Sequence, residues 1–223
     1  VMTFSNLHLE LSISSKSARV GQRATAGCLN SARRILSAKI ALVRHGRASA
    51  GWDTAVDPGL DDLGRKQADE TAKKLDLIFA GQPVQIVSSP LLRCQQTAKP
   101  FADLRTTQVR VCADVAEIPS PSGVEMSGRV DWLRAAMQGT WAELGGEYVE
   151  FRESVVKFVQ SLETSTVVFS HFIAINAVIG SLIGDDRLVI RSLDNCSITL
   201  LDRDSAGNLR IAQTGHEADT LIR

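Results

Sequence analysis

Long apolar runs are missing from this chain of 223 residues. No stretch approaches the roughly 18 apolar residues that a membrane-spanning helix needs, so we expect no membrane association. Cysteine is scarce, with four residues and no CxxC pair, which disfavours a zinc knuckle or a thiol-redox motif. Cys112 and Cys196 fall in strand-like runs and are expected to be small core residues. This pattern of cysteine use favours a reducing, cytoplasmic setting.

A net charge is also missing, because 25 basic side chains balance 25 acidic ones. The charge is unevenly spread: residues 1–39 hold six basic side chains against Glu10 alone, which leaves 19 basic and 24 acidic side chains in the other 184 residues. A net-acidic body argues against nucleic acid as a partner. Any anion site must therefore be built locally from a few cations. The composition leaves the oligomeric state open.

Residues 1–38 differ in composition from the rest of the chain. They are rich in Ser, Arg and Ala and almost free of acid, which is typical of disorder or of a transit-like segment. The chain begins with Val rather than Met, which also fits a mis-assigned start. We therefore interpret 1–38 as a disordered or mis-assigned N-terminal tail and 39–223 as one folded domain.

From residue 39 onward, apolar runs alternate with helical stretches, a pattern that predicts an α/β fold. The predicted strands are 39–44, 84–88, 109–113, 166–170, 196–201 and 208–213. A helix is predicted after Pro58, with Asp61 as its N-cap, and further helices at 90–104, 147–163 and 172–183. Pro90 suits the first turn of the second helix, which would place Arg93 one turn in.

Arginine and histidine side chains follow three of the predicted strands. Arg44-His45-Gly46 follows the first strand, Arg93 follows the second, and His171 follows the strand at 166–170. Ligand chemistry in open α/β sheets gathers at the carboxyl ends of strands. A neutral imidazole can attack phosphorus, and Arg presents a rigid charged fork to phosphate oxygens. These residues therefore predict phosphoryl transfer.

The leaving oxygen of such a reaction needs a proton from a nearby carboxylic acid. Glu117, just after the strand at 109–113, is our choice for this acid. Burial and the charge of a bound phosphate should both raise its pKa. Glu125 lies in the same region and is the alternative acid.

Two competing motifs are disfavoured. Residues 28–34, from Cys28 to Arg34, fit the C-x5-R loop of cysteine-dependent phosphatases, but they lack a preceding apolar strand and the glycine that turns backbone amides toward phosphate. Four aspartates in the next segment suggest a metal site, but Asp61 is better explained as a helix cap and the spacing is not that of a calcium loop. The aspartates are Asp53, Asp57, Asp61 and Asp62.

The ordered motifs of this chain resemble those of the histidine phosphatase superfamily, also called the phosphoglycerate mutase-like family. The matching blocks are Arg44-His45-Gly46, Leu60-Asp61-Asp62-Leu63-Gly64 with Gln67-Ala68, Ser88-Ser89-Pro90-Leu91-Leu92-Arg93 with Gln96-Thr97, Ala116-Glu117, Ser170-His171 and Asn195-Cys196-Ser197-Ile198-Thr199. The blocks keep the family's order over roughly residues 39–201.

The resemblance implies a three-layer α/β/α sandwich with a mostly parallel central sheet. It also implies a reaction without metal or cofactor. In that reaction His45 would carry the phosphoryl group, and Arg44, Arg93 and His171 would hold the phosphate. Glu117 would be the proton donor and later the base that activates water.

The resemblance also bears on the reaction type. Where glycolytic mutases carry Glu-Ser and then Trp-Asn, this chain has Arg47-Ala48 and Trp52-Asp53. Water is therefore the expected acceptor, and a small phosphorylated metabolite the expected substrate. A protein phosphohistidine phosphatase and a mutase-type transfer are the alternatives. We place substrate selection in 118–146, where Arg129 or Arg134 would meet a second acidic group, unless this segment simply packs its aromatic residues on the body.

Overall fold

The computed structural model describes residues 38–51 and 54–217. The strands are β1 Lys39–Arg44, β2 Gln85–Ser88, β3 Val109–Val111, β4 Thr166–Ser170, β5 Ile198–Arg203 and β6 Leu209–Gln213. The helices are α1 Asp62–Ile78, α2 Leu92–Arg105, α3 Arg129–Ala136, α4 Trp141–Leu144, α5 Gly146–Gln160 and α6 Phe172–Ile183. No helix among these residues is long and apolar enough to cross a membrane. The predictions for 1–37, the C-x5-R motif included, and for 52–53 lie outside the described residues.

The six strands form one sheet in the order β3-β2-β4-β1-β5-β6. The first four of these strands are parallel; β5 pairs antiparallel with β1, and the outermost strand β6 pairs antiparallel with β5. Because the carboxyl ends of parallel strands lie at the same end of a sheet, the loops after β1, β2, β3 and β4 converge there. We call this end the carboxyl edge of the sheet. The predicted mostly parallel sheet is therefore confirmed.

Side chains of β1 alternate between two cores, one on each face of the sheet. Ile40 and Leu42 pack with buried residues of α3 to α6, whereas Ala41 and Val43 pack with those of α1 and α2. Helices cover both faces, which explains why the central strands are apolar throughout rather than alternating. The three-layer α/β/α arrangement follows from this packing.

Some predicted boundaries shift for identifiable reasons. The strands at 39–44 and 166–170 and the helix at 172–183 have the predicted bounds. The strand predicted at 196–201 begins at Ile198, because Cys196 stands in a turn with a φ of 57°. The second helix begins at Leu92, so Pro90 precedes it and Arg93 is its second residue rather than one turn in.

The segment at 118–146 packs its aromatic residues on the body of the domain. Trp141 is completely buried, and the rings of Trp132 and Tyr148 lie 5.3 Å apart. Thr140 pairs with Arg187 beyond the C-terminal end of α6. His171 directly precedes the N-terminal end of this 12-residue helix, and the two ends of the helix are about 18 Å apart. The α4 part of the segment therefore lies away from the edge where His171 stands.

The buried side-chain amide of Asn176 holds the segment that returns from the end of α6 to the carboxyl ends of the parallel strands. Asn176 Oδ1 accepts hydrogen bonds from the backbone N–H groups of Ile190 and Arg191, both at 2.8 Å. Its Nδ2 donates to the carbonyls of Phe172 and Arg191 at 3.0 and 3.1 Å. Because buried polar groups need partners, this side chain fixes the path of the segment that leads to Leu193 and Asn195.

Candidate active site

Backbone hydrogen bonds hold the loop after β1 between two neighbouring segments. His45 N–H donates to the carbonyl of Ser170 at 3.0 Å. On the other side, Cys196 N–H donates to the carbonyl of Arg44, and Asn195 Nδ2 donates to that of His45, both at 3.0 Å. The backbone of His45 is therefore fixed before its side chain makes any contact.

Two glycines let this loop lie directly against the start of α1. A Cβ on Gly64 would stand 2.1 Å from the carbonyl oxygen of Arg47, and one on Gly46 would stand 2.7 Å from that of Gly64. Asp61 caps α1 by accepting from Gly64 N–H at 2.7 Å, as predicted, and also pairs with the Arg47 guanidinium at 2.5 Å. The contact of loop and helix thus needs the absence of side chains at both glycines.

The His45 ring is held in one tautomer. Its Nδ1 lies 2.8 Å from the carbonyl oxygen of Gly46, so the hydrogen is on Nδ1 and the lone pair is on Nε2. Arg93 Nε donates to that Nε2 at 3.2 Å. Burial, with the nearby cations, lowers the pKa of His45 well below its usual value of 6.5. The imidazole is therefore neutral and presents a nucleophilic nitrogen.

Arg93 stands at the centre of the site and is only 5% exposed. Besides His45, its guanidinium contacts His171 Nδ1 at 3.2 Å and Glu117 Oε2 at 3.5 Å through Nη2. Thr97, one turn further along α2, donates to the carbonyl of Arg93 and accepts from Gly46 N–H at 3.0 Å. The hydroxyl of Thr97 therefore ties the helix that carries Arg93 to the loop that carries His45.

His171 faces His45 edge-on, with the ring centroids 5.3 Å apart. Its side chain is completely buried, with Nδ1 3.3 Å from Glu117 Oε2 and Nε2 2.7 Å from Ser89 Oγ. Burial lowers the pKa of His171, although Glu117 opposes this effect. Both ring nitrogens therefore have polar partners in the protein.

Glu117 reaches the site because the turn that follows β3 is anchored to β4. Ser170 Oγ donates to the carbonyl of Val115 at 2.8 Å. Burial alone would raise the pKa of Glu117, but His171 and Arg93 outweigh it and lower the pKa to about 2. The prediction of a raised pKa is wrong for the protein's own groups, because it considered burial and substrate charge but not the surrounding cations.

Arg44 is positioned by its contacts with two residues. Its Nη1 donates to the carbonyl of Leu193 at 2.6 Å, and its guanidinium carbon lies 5.1 Å above the ring centre of Phe172. Among the described residues its Nε–H is buried without a hydrogen-bond partner. A buried donor without a partner is costly, which favours an anion bound beside it.

The donor atoms of His45, Glu117 and His171 lie within 4.8 Å of one another. Two imidazoles and a carboxylate form a ligand set that zinc uses in catalytic sites. Here, however, nitrogen atoms of Arg93 contact all three of these side chains. A permanent cation among the three favours an anion over a metal ion at this position.

The structure brings four of the predicted site residues into contact, namely His45, Arg93, Glu117 and His171. The fifth, Arg44, is close enough to interact electrostatically with Glu117 and Arg93. Glu125, the alternative acid, is exposed and precedes a short 3-10 turn. Arg134 pairs at the surface with Asp131. Asp57 accepts from the N–H of Leu92, so it and Asp61 have structural partners.

Three further residues support the site without an assigned role in the sequence analysis: Ser89, Thr97 and Asn195. All three lie in the matching sequence blocks, so the signal was present. Their contacts depend on the relative placement of distant segments, which spacing alone does not reveal.

The sequence model of the histidine phosphatase superfamily (branch 1) matches residues 40–213. Because this match covers most of the chain, the protein belongs to the histidine phosphatase superfamily, as its motifs predicted. The expectation of an enzyme of the phosphatase class is confirmed at the level of this family. No curated protein matches the chain.

Solved structures share the fold. The solved structure of "Mycobacterial hydrolase 1" is 21% identical with a TM-score of 0.64, and the match covers 82% of this chain and 100% of that one. A mycobacterial glucosyl-3-phosphoglycerate phosphatase in complex with VO3 is 22% identical, with a TM-score of 0.62 and coverage of 79% and 98%. A phosphoserine phosphatase from Entamoeba histolytica with 3-phosphoglyceric acid is 20% identical, with a TM-score of 0.63 and coverage of 80% and 97%. At these identities the comparison establishes the fold.

The buried neutral imidazole of His45 predicts a specific loss of stability in acid. In the folded protein the pKa of His45 lies below 6.5, its value in the unfolded chain. As the pH falls, His45 is therefore protonated in the unfolded chain but stays neutral in the folded one, which favours unfolding. Between about pH 7 and pH 5 the native protein should lose more free energy of unfolding than His45→Gln. Urea unfolding at both pH values measures this difference. His216→Gln, at an exposed histidine, should behave like the native chain; equal losses in native and His45→Gln would contradict the neutral imidazole.

Proposed function

We propose that this protein is a metal-independent phosphomonoester hydrolase that acts through a phosphohistidine on His45, with a small phosphorylated metabolite as substrate. The observation that carries the proposal is the fixed tautomer of His45. Its Nδ1 hydrogen bonds to the carbonyl of Gly46, which leaves Nε2 as a neutral nucleophile beside Arg93.

In the first half-reaction, His45 Nε2 attacks the phosphorus and the bond from phosphorus to the ester oxygen breaks. Arg93 and the Nε–H of Arg44 hold the phosphate oxygens, where negative charge is concentrated. Glu117, as the carboxylic acid, gives its proton to the departing alkoxide. The products are the free alcohol and phosphohistidine.

In the second half-reaction, water attacks the phosphohistidine and the bond from phosphorus to Nε2 breaks. The Glu117 carboxylate takes a proton from the attacking water, so the acid of the first step becomes the base of the second. Inorganic phosphate leaves and His45 returns to its neutral form. Every proton lost in the first step is regained in the second.

The low pKa of Glu117 means that this carboxyl is ionised among the protein's own cations. The negative charge of a bound phosphate counters the pull of His171 and Arg93 and therefore raises this pKa. A phosphate monoester also has a second pKa near 6, so its monoanion brings a proton with it. Delivery of the proton by the substrate is consistent with both observations.

His45→Asn is expected to lower hydrolysis of p-nitrophenyl phosphate by at least about a thousandfold, because it removes the nucleophile. The native rate should be unchanged after dialysis against EDTA, since nitrogen atoms of the permanently charged Arg93 contact all three of the side chains that could bind a metal. Steady-state release of p-nitrophenol measures both effects. His216→Asn, at an exposed histidine, serves as the matched control. Native-like turnover by His45→Asn, or loss of activity in EDTA that zinc restores, would contradict the mechanism.

Glu117→Gln is expected to separate the two half-reactions. p-Nitrophenol leaves without needing a proton, so this variant should release one equivalent in a fast burst and then turn over about 10² to 10⁴ times more slowly than the native enzyme, for lack of a base. An alkyl phosphate should give no burst. Rapid-mixing absorbance measures the burst. Glu125→Gln is the matched control and should keep native kinetics; the opposite pattern would make Glu125 the acid.

Names of the structural relatives support the substrate class. They describe phosphatases of glucosyl-3-phosphoglycerate, phosphoserine and, in Escherichia coli, a putative one for alpha-ribazole-5'-phosphate. Within 118–146, α4 packs beyond the far end of α6, which leaves the part nearer Glu117 to contact a substrate.

We expect these three esters to be hydrolysed faster than a phosphohistidine peptide, and 3-phosphoglycerate to be hydrolysed rather than isomerised. Phosphate release and product analysis measure this preference. Faster dephosphorylation of the peptide would favour the protein phosphatase alternative.

A further inference from the structure

The two ring nitrogens of His171 face different surroundings. Nδ1 lies on the reacting side, 3.3 Å from Glu117 Oε2 and 3.2 Å from Arg93 Nη2. Nε2 points away from the reacting side, 2.7 Å from Ser89 Oγ and 3.4 Å from Cys94 Sγ. The ionised Glu117 carboxylate can only accept, which favours a hydrogen on Nδ1 of the neutral ring, and Nε2 then needs a partner that donates to its lone pair.

Ser89 is suited to follow the charge of His171. Its side chain is completely buried, and its oxygen accepts from the N–H of Leu91 at 3.2 Å. A hydroxyl has one hydrogen and two lone pairs, so one hydrogen and one lone pair remain for its two other neighbours, His171 at 2.7 Å and the Cys94 thiol. The hydroxyl can donate to Nε2 of the neutral ring and, after rotation, accept from Nε2–H of the imidazolium.

Cys94 is a poor substitute for this hydroxyl. Its thiol donates to the carbonyl of Ser170 at 3.4 Å, and burial raises its pKa, so it stays a neutral thiol. A thiol is a weak donor and a weak acceptor. Without Ser89, Nε2 of the buried His171 would lose its one strong partner.

We propose that Ser89 is a positioning residue for phosphoryl transfer, whose hydroxyl keeps an N–H of His171 on the side of Glu117 and Arg93 in both charge states of the ring. This inference rests on the proposed function of the site at His45. The N–H supplies a donor to the phosphoryl oxygens in each half-reaction, and only a hydroxyl hydrogen has to rotate. A donor that is already in place costs no reorganisation at the moment of reaction.

Ser89→Ala tests the role in catalysis. We expect kcat for p-nitrophenyl phosphate to fall about ten- to a hundredfold, the effect of losing a hydrogen bond to a charged group, while KM changes little. Ser88→Ala is the matched control, because Ser88 is equally buried and its hydroxyl bonds to the carbonyl of Ser89 instead of His171. It should keep a kcat close to the native value. A Ser89→Ala enzyme with native kcat, or an equal loss in Ser88→Ala, would overturn the proposal.

A second readout does not depend on activity. Nitrogen-15 chemical shifts of labelled histidine report which ring nitrogen carries the hydrogen. In the native protein we expect neutral His171 in the Nδ1–H form, and in Ser89→Ala a mixture of both forms. A native protein in the Nε2–H form would overturn the proposal even if the variant did not fold. If His45→Asn kept native turnover, the proposed function would fail while the chemical shifts still tested Ser89.

Discussion

The buried guanidinium of Arg93 contacts both imidazoles and the carboxylate of the site and affects the protonation of each. It is buried, permanently charged, and within hydrogen-bonding distance of both imidazoles and of Glu117. A buried cation of this kind disfavours protonation of His45 and favours ionisation of Glu117. Burial is the main reason that His45 stays neutral, and the charge of Arg93 adds to it; the same charge acts with His171 to keep Glu117 ionised. A bound phosphate monoester counters this effect at Glu117, because its negative charge raises the pKa of the carboxyl and its monoanion carries a proton.

The fold brings these side chains together from distant parts of the chain. His45, Arg93 and His171 each follow a parallel strand, and Glu117 follows the turn after β3. Because the sheet is covered on both faces, the open edge at the carboxyl ends of the strands is where a charged cluster can meet a ligand. The close approach at Gly46 and Gly64 and the link through Thr97 then fix the loop of His45 against two helices.

Much of this could be predicted from sequence because strand ends and motif order are local signals. β1, β4 and α6 have their predicted bounds, and the five site residues converge. The start of β5 was missed because Cys196 adopts a backbone conformation that is rare for residues other than glycine. The prediction of a raised pKa for Glu117 is wrong because the groups that lower this pKa, Arg93 and His171, are more than twenty positions away in the sequence. The role of Ser89 was missed for the same reason.

Trapping the covalent intermediate tests the central claim most directly. The protein is mixed with p-nitrophenyl phosphate, quenched in base, where phosphohistidine survives, and mapped by mass spectrometry. Glu117→Gln should accumulate the intermediate most strongly. A single phosphoryl group on His45, labile in acid, is the predicted result. A phosphoryl group on another residue, or continued turnover of the native enzyme with no modified His45 in either protein, would contradict it.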